Sequence, residues 1–379
     1  MRRLILYKAP SLTKPLETAA NPVTLQSMAG RAAALAFDEG SNDDIYEVTM
    51  SASVPPMPDN LITLESHILA EEQRHPQATG TFSWILAAMT LSAKIIASKI
   101  RRARIEDVLG EIGSRNVTGD MQQKLDVIAN ETLLRCLGAR AGVALLASEE
   151  NDQPSILHTQ EDRPYCILFD PLDGSSNLDA CVSVGTIFSI LHHDADADPI
   201  ETSLLQPGSR QVAAGYMLYG SSCVFVLTTG HGVNMFVLDP TIGAFMLVQE
   251  NLRIPKAFKS YSVNEAYRAR FSDGYRNYLD WAHENGYSSR YIGSMVADVH
   301  RILVKGGVFL YPPTTEHPDG KIRLMYEANP LAMIVARAGG KAYAGTTPLL
   351  DVPSRTLHQR TPVLMGSPDE VDHVLRFLV

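Results

Sequence analysis

The sequence predicts an α/β fold, a layered α+β sandwich (αβαβα) divided into two domains. Three observations point there: helical apolar periodicity over residues 61–137, short β-rich apolar runs over 143–248, and a mixture of both after Pro255. Leu61-Ile62, Leu64 and Ile68-Leu69 recur at helical spacing up to Pro76. A second helix is expected over 82–104, with Trp84, Ile85, Ala88, Leu91, Ile95 and Ile96 as its apolar face, and a third over 121–137. Residues 143–147 and 165–169 read as buried strands. Residues 182–191, 213–229 (a bent pair) and 236–248 continue the sheet. Pro255 marks the domain boundary, and beyond it helices are expected over 266–284, 296–304 and 330–338, with a strand over 308–311. Gly339-Gly340 closes the last helix, as glycine does at a helix C-terminus.

Composition narrows the function classes. With 45% hydrophobic and 20% charged residues in 379, the chain has the balance of a globular protein, not of a fibre or a disordered polymer. Lys plus Arg (33) against Asp plus Glu (42) leaves −9, so no global field attracts nucleic acid or anionic lipid. No uninterrupted run of about 18 apolar residues occurs, and no membrane span is expected. Cys136, Cys166, Cys181 and Cys223 form no CxxC pair and read as buried reduced thiols, which fits a cytoplasmic, reducing compartment. Residues 1–60, rich in proline and carrying an acidic cluster over 38–47, read as a poorly ordered extension. Their first 37 residues hold five cations against Glu17, which resembles an organellar transit peptide; a flexible tail, or a start at Met50, are the alternatives.

The sharpest chemical signal is Asp170-Pro171-Leu172-Asp173-Gly174-Ser175-Ser176-Asn177, directly after an apolar strand. A strand end followed by Pro171 and Gly174 lets Asp170 and Asp173 converge, and converging carboxylates call for a hard cation such as Mg²⁺ or Mn²⁺. The following Gly-Ser-Ser offers backbone N–H groups and hydroxyls to a phosphate. Glu149 and Glu150 follow the strand over 143–147, and neighbours on an extended segment point apart, so one suits a metal and the other a water molecule. Asp120 and Asp126 flank the start of the third helix, and Glu327 precedes Pro330 and an apolar helix. A basic and aromatic set, Asn264, Tyr267, Arg290, Tyr291, Tyr311, Lys321 and Arg323, suits a second phosphate. Taken singly, each of these has an ordinary reading as a solvated acid, a helix cap or rim packing. Together they point to metal-assisted phosphoester hydrolysis.

Residues 170–177 resemble the signature of the class I fructose-1,6-bisphosphatase family, within the metal-dependent, lithium-sensitive sugar phosphatases. The similarity runs in order through Asn116–Asp126, Ser148-Glu149-Glu150, Gly185-Thr186-Ile187-Phe188, Ser262-Val263-Asn264-Glu265, 291–301 and Tyr326-Glu327-Ala328-Asn329-Pro330, covering about 60–379. It implies a two-domain sugar phosphatase fold, with metal motifs in 61–254 and a sugar-phosphate pocket in 255–379. It implies catalytic Mg²⁺, with Mn²⁺ as substitute, held by Glu149, Asp170, Asp173, Glu327 and the Leu172 carbonyl. Glu150 and Asp126 would activate water, with Asp120 in a mobile loop. Gly174, Ser175 and Ser176 would hold the 1-phosphate, and Asn264, Tyr267, Tyr291, Tyr311 and Lys321 the 6-phosphate. Arg290 would come from a neighbouring subunit of a homotetramer, and Met295 and Asp173 would touch the sugar. The implied activity is hydrolysis of fructose 1,6-bisphosphate in gluconeogenesis or the Calvin cycle. The alternatives are a sedoheptulose-1,7-bisphosphatase or dual-specificity enzyme, and a non-catalytic sensor.

The sequence departs from AMP-inhibited members of that family. A Thr-Gly-Glu-Leu-Thr segment is replaced by Thr79-Gly80-Thr81-Phe82-Ser83, a Lys-Tyr pair by Pro164-Tyr165, and an arginine by His192. With both cationic phosphate partners gone, AMP inhibition is expected to be weak or absent. Residues 194–206 carry no cysteine, so thiol control through an insertion there is not expected.

Overall fold

A computed structural model describes residues 61–74, 80–115, 121–140, 142–157 and 164–379. The expected extension over 1–60, the segment 116–120 with Asp120, and Thr79 lie outside the described residues.

Five layers stack as expected from the order of the elements. An eight-stranded sheet runs in the order Ala244–Gln249, Asn234–Asp239, Cys223–Thr228, Gln211–Tyr219, Val184–His192, Tyr165–Asp173, Val143–Ser148, Ser155–Ile156. Its neighbours are antiparallel except Val143–Ser148, which runs parallel to Tyr165–Asp173. Alternation along Tyr165–Asp173 sends Ile167 and Phe169 to one face and Cys166 and Leu168 to the other. On the first face they meet α2 (Thr81–Arg102) and α3 (Lys124–Gly138) through Ile85, Met89, Ile96, Leu125 and Leu133. On the second they meet α5 (Met295–Lys305) and α6 (Asn329–Arg337) through Val296, Ile302, Leu331 and Ile334. That helical layer also covers one face of a six-stranded sheet, which includes Ser260–Ser262, Val308–Tyr311 and Val363–Gly366. Its far face packs on α4 (Asp273–Glu284) and α7 (Pro368–Leu378), where Tyr261 and Leu310 meet Tyr278, Val371 and Val374. α1 (Leu64–Arg74) precedes them all and buries Leu64 and Ile68.

Several expectations need correction. Of the apolar face assigned to α2, Ile85, Ala88 and Ile96 are buried, but Trp84, Leu91 and Ile95 are 63%, 43% and 37% exposed. Large apolar side chains also fall on its outer side, so reading them all as one face missed the inner stripe. That stripe runs instead through Met89 and Ser92, whose hydroxyl donates to the Ala88 carbonyl at 2.9 Å and so enters the core satisfied. Among the described residues α2 alone is long and apolar enough to cross a membrane, but half of it is buried within the fold. The third helix starts at Lys124, not 121, because Met121–Gln123 is extended and Gln123 caps the helix in a reciprocal box with Asp126. The helix expected over 266–284 is broken: a 3₁₀ turn, Glu265–Arg270, precedes α4, and extended backbone between them lets Phe271 enter the core. The four thiols are free, but Cys181 is exposed, not buried.

Candidate active site

The strand expected to end at Phe169 continues to Asp173. Asp170 pairs with Ile187 and Asp173 with Gly185, three residues against two, so the strand carries a bulge between the two aspartates. Pro171 tolerates this because it lacks an N–H to place, and its carbonyl accepts a hydrogen bond from Thr186 Oγ1 at 2.8 Å. The bulge, more than the turn, turns both carboxylates into one space. The turn comes at Gly174 (φ 79°), where a Cβ would lie 2.6 Å from Ser294 Cβ, so only glycine fits.

Asp170, Asp173 and Glu327 each present a carboxylate oxygen within 4.8 Å of the other two, and all three are buried. Glu327 arrives on a π-helical turn, Leu324–Ala328, and its Oε2 accepts the Arg323 N–H at 2.6 Å. Glu149 joins from the end of Val143–Ser148 and pairs with Arg323 Nη2 at 2.7 Å. Arg323 therefore belongs to the acidic cluster, not to the distal basic set in which the sequence placed it. Glu150 accepts from Gln122 Nε2 at 2.8 Å, and its charge is felt by Asp170. Asp126 Oδ2 accepts the Gln123 N–H at 2.8 Å and the Ser175 hydroxyl at 3.2 Å, which ties the third helix to the Gly174 turn. Ser176 is exposed beside it, and Asn177 Nδ2 donates to the Gly293 carbonyl at 3.0 Å. The Leu172 N–H donates to Asp170 Oδ1 at 3.0 Å, and Met295 is buried in the core below.

The electrostatics follow from this crowding. Burial, then the Glu149, Asp173 and Glu327 carboxylates, push the Asp170 pKa well above the carboxylate range. Burial raises Asp173 to about 6 although the Val296 N–H and Ser294 hydroxyl donate to it. Burial raises Asp126 to about 6, and Glu327 to about 8 against the pull of Arg323. Groups raised in this way stabilise the fold at low pH, and that contribution is lost as pH rises through their folded values. Without a divalent cation, melting temperature is expected to fall between about pH 4 and pH 8, the window set by Asp126, Asp173 and Glu327. Saturating cation should flatten the fall. Thermal melts with and without chelator check this, and a metal-free melting temperature that rises across the window contradicts it.

Apart from the acidic cluster, Asn264, Tyr267, Tyr311 and Lys321 line one pocket of about 220 Å³. Tyr291 does not line it and is itself exposed. Arg290 is exposed at the sheet edge and lies outside the pocket of its own chain. The basic lining residues missed from sequence are Arg270 and His317. Arg270 lies over the Tyr267 ring, 5.5 Å from its centroid, and pairs with Glu316 at 2.7 Å. Its spacing of three from Tyr267 was the available signal. At the positions that depart from AMP-inhibited proteins, Phe82 meets Tyr165 edge-to-face at 5.8 Å between centroids, and Tyr165 stacks on His192 at 5.4 Å.

Comparison with known proteins decides the family. A model of the fructose-1,6-bisphosphatase N-terminal domain matches residues 62–250, and one of the C-terminal domain matches 254–379. The chain belongs to the class 1 fructose-1,6-bisphosphatase family. It is 50% identical to the class 1 fructose-1,6-bisphosphatase of Chlorobium chlorochromatii over 82% of this chain and 96% of that one. Identity to the Persephonella marina enzyme of the same name is also 50%, over 83% and 98%. The crystal structure of Leishmania major fructose-1,6-bisphosphatase in holo form superposes with a TM-score of 0.80 at 42% identity, over 84% of this chain and 99% of that one. This is a family of metal-dependent phosphatases, and the buried acidic cluster is where this member could hold its metal.

Proposed function

We propose that this chain hydrolyses the 1-phosphate of D-fructose 1,6-bisphosphate, giving fructose 6-phosphate and inorganic phosphate. The observation that carries the reading is the pairing of a buried acidic cluster with a separate pocket of tyrosines, Asn264 and Lys321. A monophosphate substrate would need only the first. The names of the relatives favour fructose over the sedoheptulose alternative, and the presence of all six carboxylates, Asp126, Glu149, Glu150, Asp170, Asp173 and Glu327, disfavours a sensor.

The donor set fits hard divalent cations, Mg²⁺ with Mn²⁺ as substitute: all oxygen, and several carboxylates, with Arg323 paired to Glu149 among them. Asp170, Asp173, Glu327 and Glu149 would hold them, with the Leu172 carbonyl. Cations there would neutralise phosphoryl oxygens and acidify water. The chain's own residues do the rest. Gly174, Ser175 and Ser176 cradle the 1-phosphate. Glu150 and Asp126 take the proton of the attacking water, which lowers the barrier by general base catalysis. Asp173 and Met295 contact the sugar. Asn264, Tyr267, Tyr291, Tyr311 and Lys321 bind the 6-phosphate, and positioning of this kind supplies up to roughly 7–11 kcal/mol for well-oriented groups. The assignment of Asp120 rests on sequence alone.

Arg290, exposed and outside its own pocket, fits donation to a neighbour's pocket in a homotetramer. We place the domain boundary near Pro255, where the two family models meet, and the protein in the cytoplasm. Phosphate release from fructose 1,6-bisphosphate with Mg²⁺, and its loss with chelator, tests the function. AMP is expected to leave the rate unchanged, because the Phe82, Tyr165 and His192 rings supply no cationic side chain comparable to lysine or arginine. Sub-micromolar AMP inhibition would overturn that.

A further inference from the structure

Asp298 sits in the first turn of α5 and, by sequence, reads as an acid serving the helix dipole. Its surroundings say otherwise. It is fully buried, and four donors converge on its carboxylate. Ser262 Oγ reaches Oδ1 at 2.7 Å and Arg301 Nη1 reaches it at 2.9 Å. The Ile292 N–H reaches Oδ2 at 3.0 Å and the Gly293 N–H at 3.1 Å. Two of these four donors are backbone groups that precede the helix, immediately after Tyr291. A third, Ser262, stands two residues before Asn264.

We propose that Asp298 is a positioning residue for the distal phosphate, and this rests on the bisphosphatase reading above. One carboxylate fastens both elements that must meet: the strand Ser260–Ser262, which delivers Asn264, and the loop after Tyr291, whose Ile292 and Gly293 N–H groups it accepts. Gly293 is left-handed (φ 88°), and its outer contacts run to the phosphate turn: its carbonyl accepts from Asn177, and Ser294 Oγ and the Val296 N–H donate to Asp173. Asp298 is thus the inner anchor of a loop whose outer anchors are the residues of the first phosphate site. Buried acceptors of charge-assisted bonds are costly to remove, because their donors are left unsatisfied.

The test is a double-mutant cycle on Asp298→Asn and Tyr291→Phe. Wild type is assayed first for fructose 1,6-bisphosphate hydrolysis; an inactive wild type is failure of the functional reading, separate from this one. With active wild type, D298N is expected to raise KM about tenfold or more, and the fructose 6-phosphate inhibition constant equally, with kcat within about threefold. Y291F should raise KM alone, yet add little in the D298N background, because its hydroxyl is already misplaced. Full additivity, or a lowered melting temperature at unchanged KM, overturns the proposal. Should D298N not fold, Ser262→Ala loosens the same carboxylate and replaces it in the cycle, with a smaller KM rise and the same non-additivity expected.

Discussion

Replacing Glu150 by glutamine is expected to lower kcat by about 10²–10⁴-fold while KM, metal binding and melting temperature stay near wild type. Glu150 is held by the Gln122 amide at 2.8 Å, and its own N–H donates to Ser148 Oγ at 3.3 Å, neither of which needs a charge on the side chain. The substituted amide keeps the shape and an oxygen for Gln122, and loses the negative charge and with it the ability to take a proton. Glu149, one residue earlier, is buried against Arg323, so the variant leaves the acidic cluster in place. The check is steady-state kinetics with a Mg²⁺ titration by thermal shift. A variant with wild-type kcat sinks the role given to Glu150.

The Asp170→Asn substitution has the opposite character. Asp170 is the most crowded carboxylate, pressed by burial and by Glu149, Asp173 and Glu327. Removing its charge relieves repulsion in the metal-free protein, which should become more stable by on the order of 1 kcal/mol or more at neutral pH. The same change removes a cation ligand, so turnover should fall by at least about 10³-fold and the stabilisation by Mg²⁺, about 2.7 kcal/mol at 100 times Kd, should largely disappear. Function and stability trade against each other at this position. An Asp170→Asn protein that still gains melting temperature with Mg²⁺ as wild type does would show that the cation binds elsewhere.

How far the sequence was legible depends on where the determining contact lies. The strand and turn over 165–177 could be read because Gly174 and the apolar run are local punctuation, and the layered order followed from helices preceding strands. The inner face of α2 could not, because large apolar side chains (Trp84, Leu91, Ile95) also sit on its outer side, and Ser92 enters the core through a bond to its own helix. Arg323 was misplaced for a related reason: two residues from Lys321, it looks like part of one basic patch, and only the tertiary approach of Glu149 separates them. Asp298 lay within the recognised 291–301 segment but carried no assigned role, because the four donors that meet its carboxylate come together only in the fold. The bulge at Pro171 is an intermediate case, since proline in a strand announces an irregularity without saying which way the chain turns.

The central claim is that an acidic cluster and a distal phosphate pocket serve one bisphosphate. Phosphate release by the purified full chain with Mg²⁺ tests it most directly, comparing fructose 1,6-bisphosphate, sedoheptulose 1,7-bisphosphate and inositol monophosphate, each with and without AMP. The account predicts rapid turnover of fructose 1,6-bisphosphate to fructose 6-phosphate, no useful turnover of inositol monophosphate, and no response to AMP. Equal turnover of the inositol monophosphate, or no turnover of fructose 1,6-bisphosphate with metal bound, would contradict it.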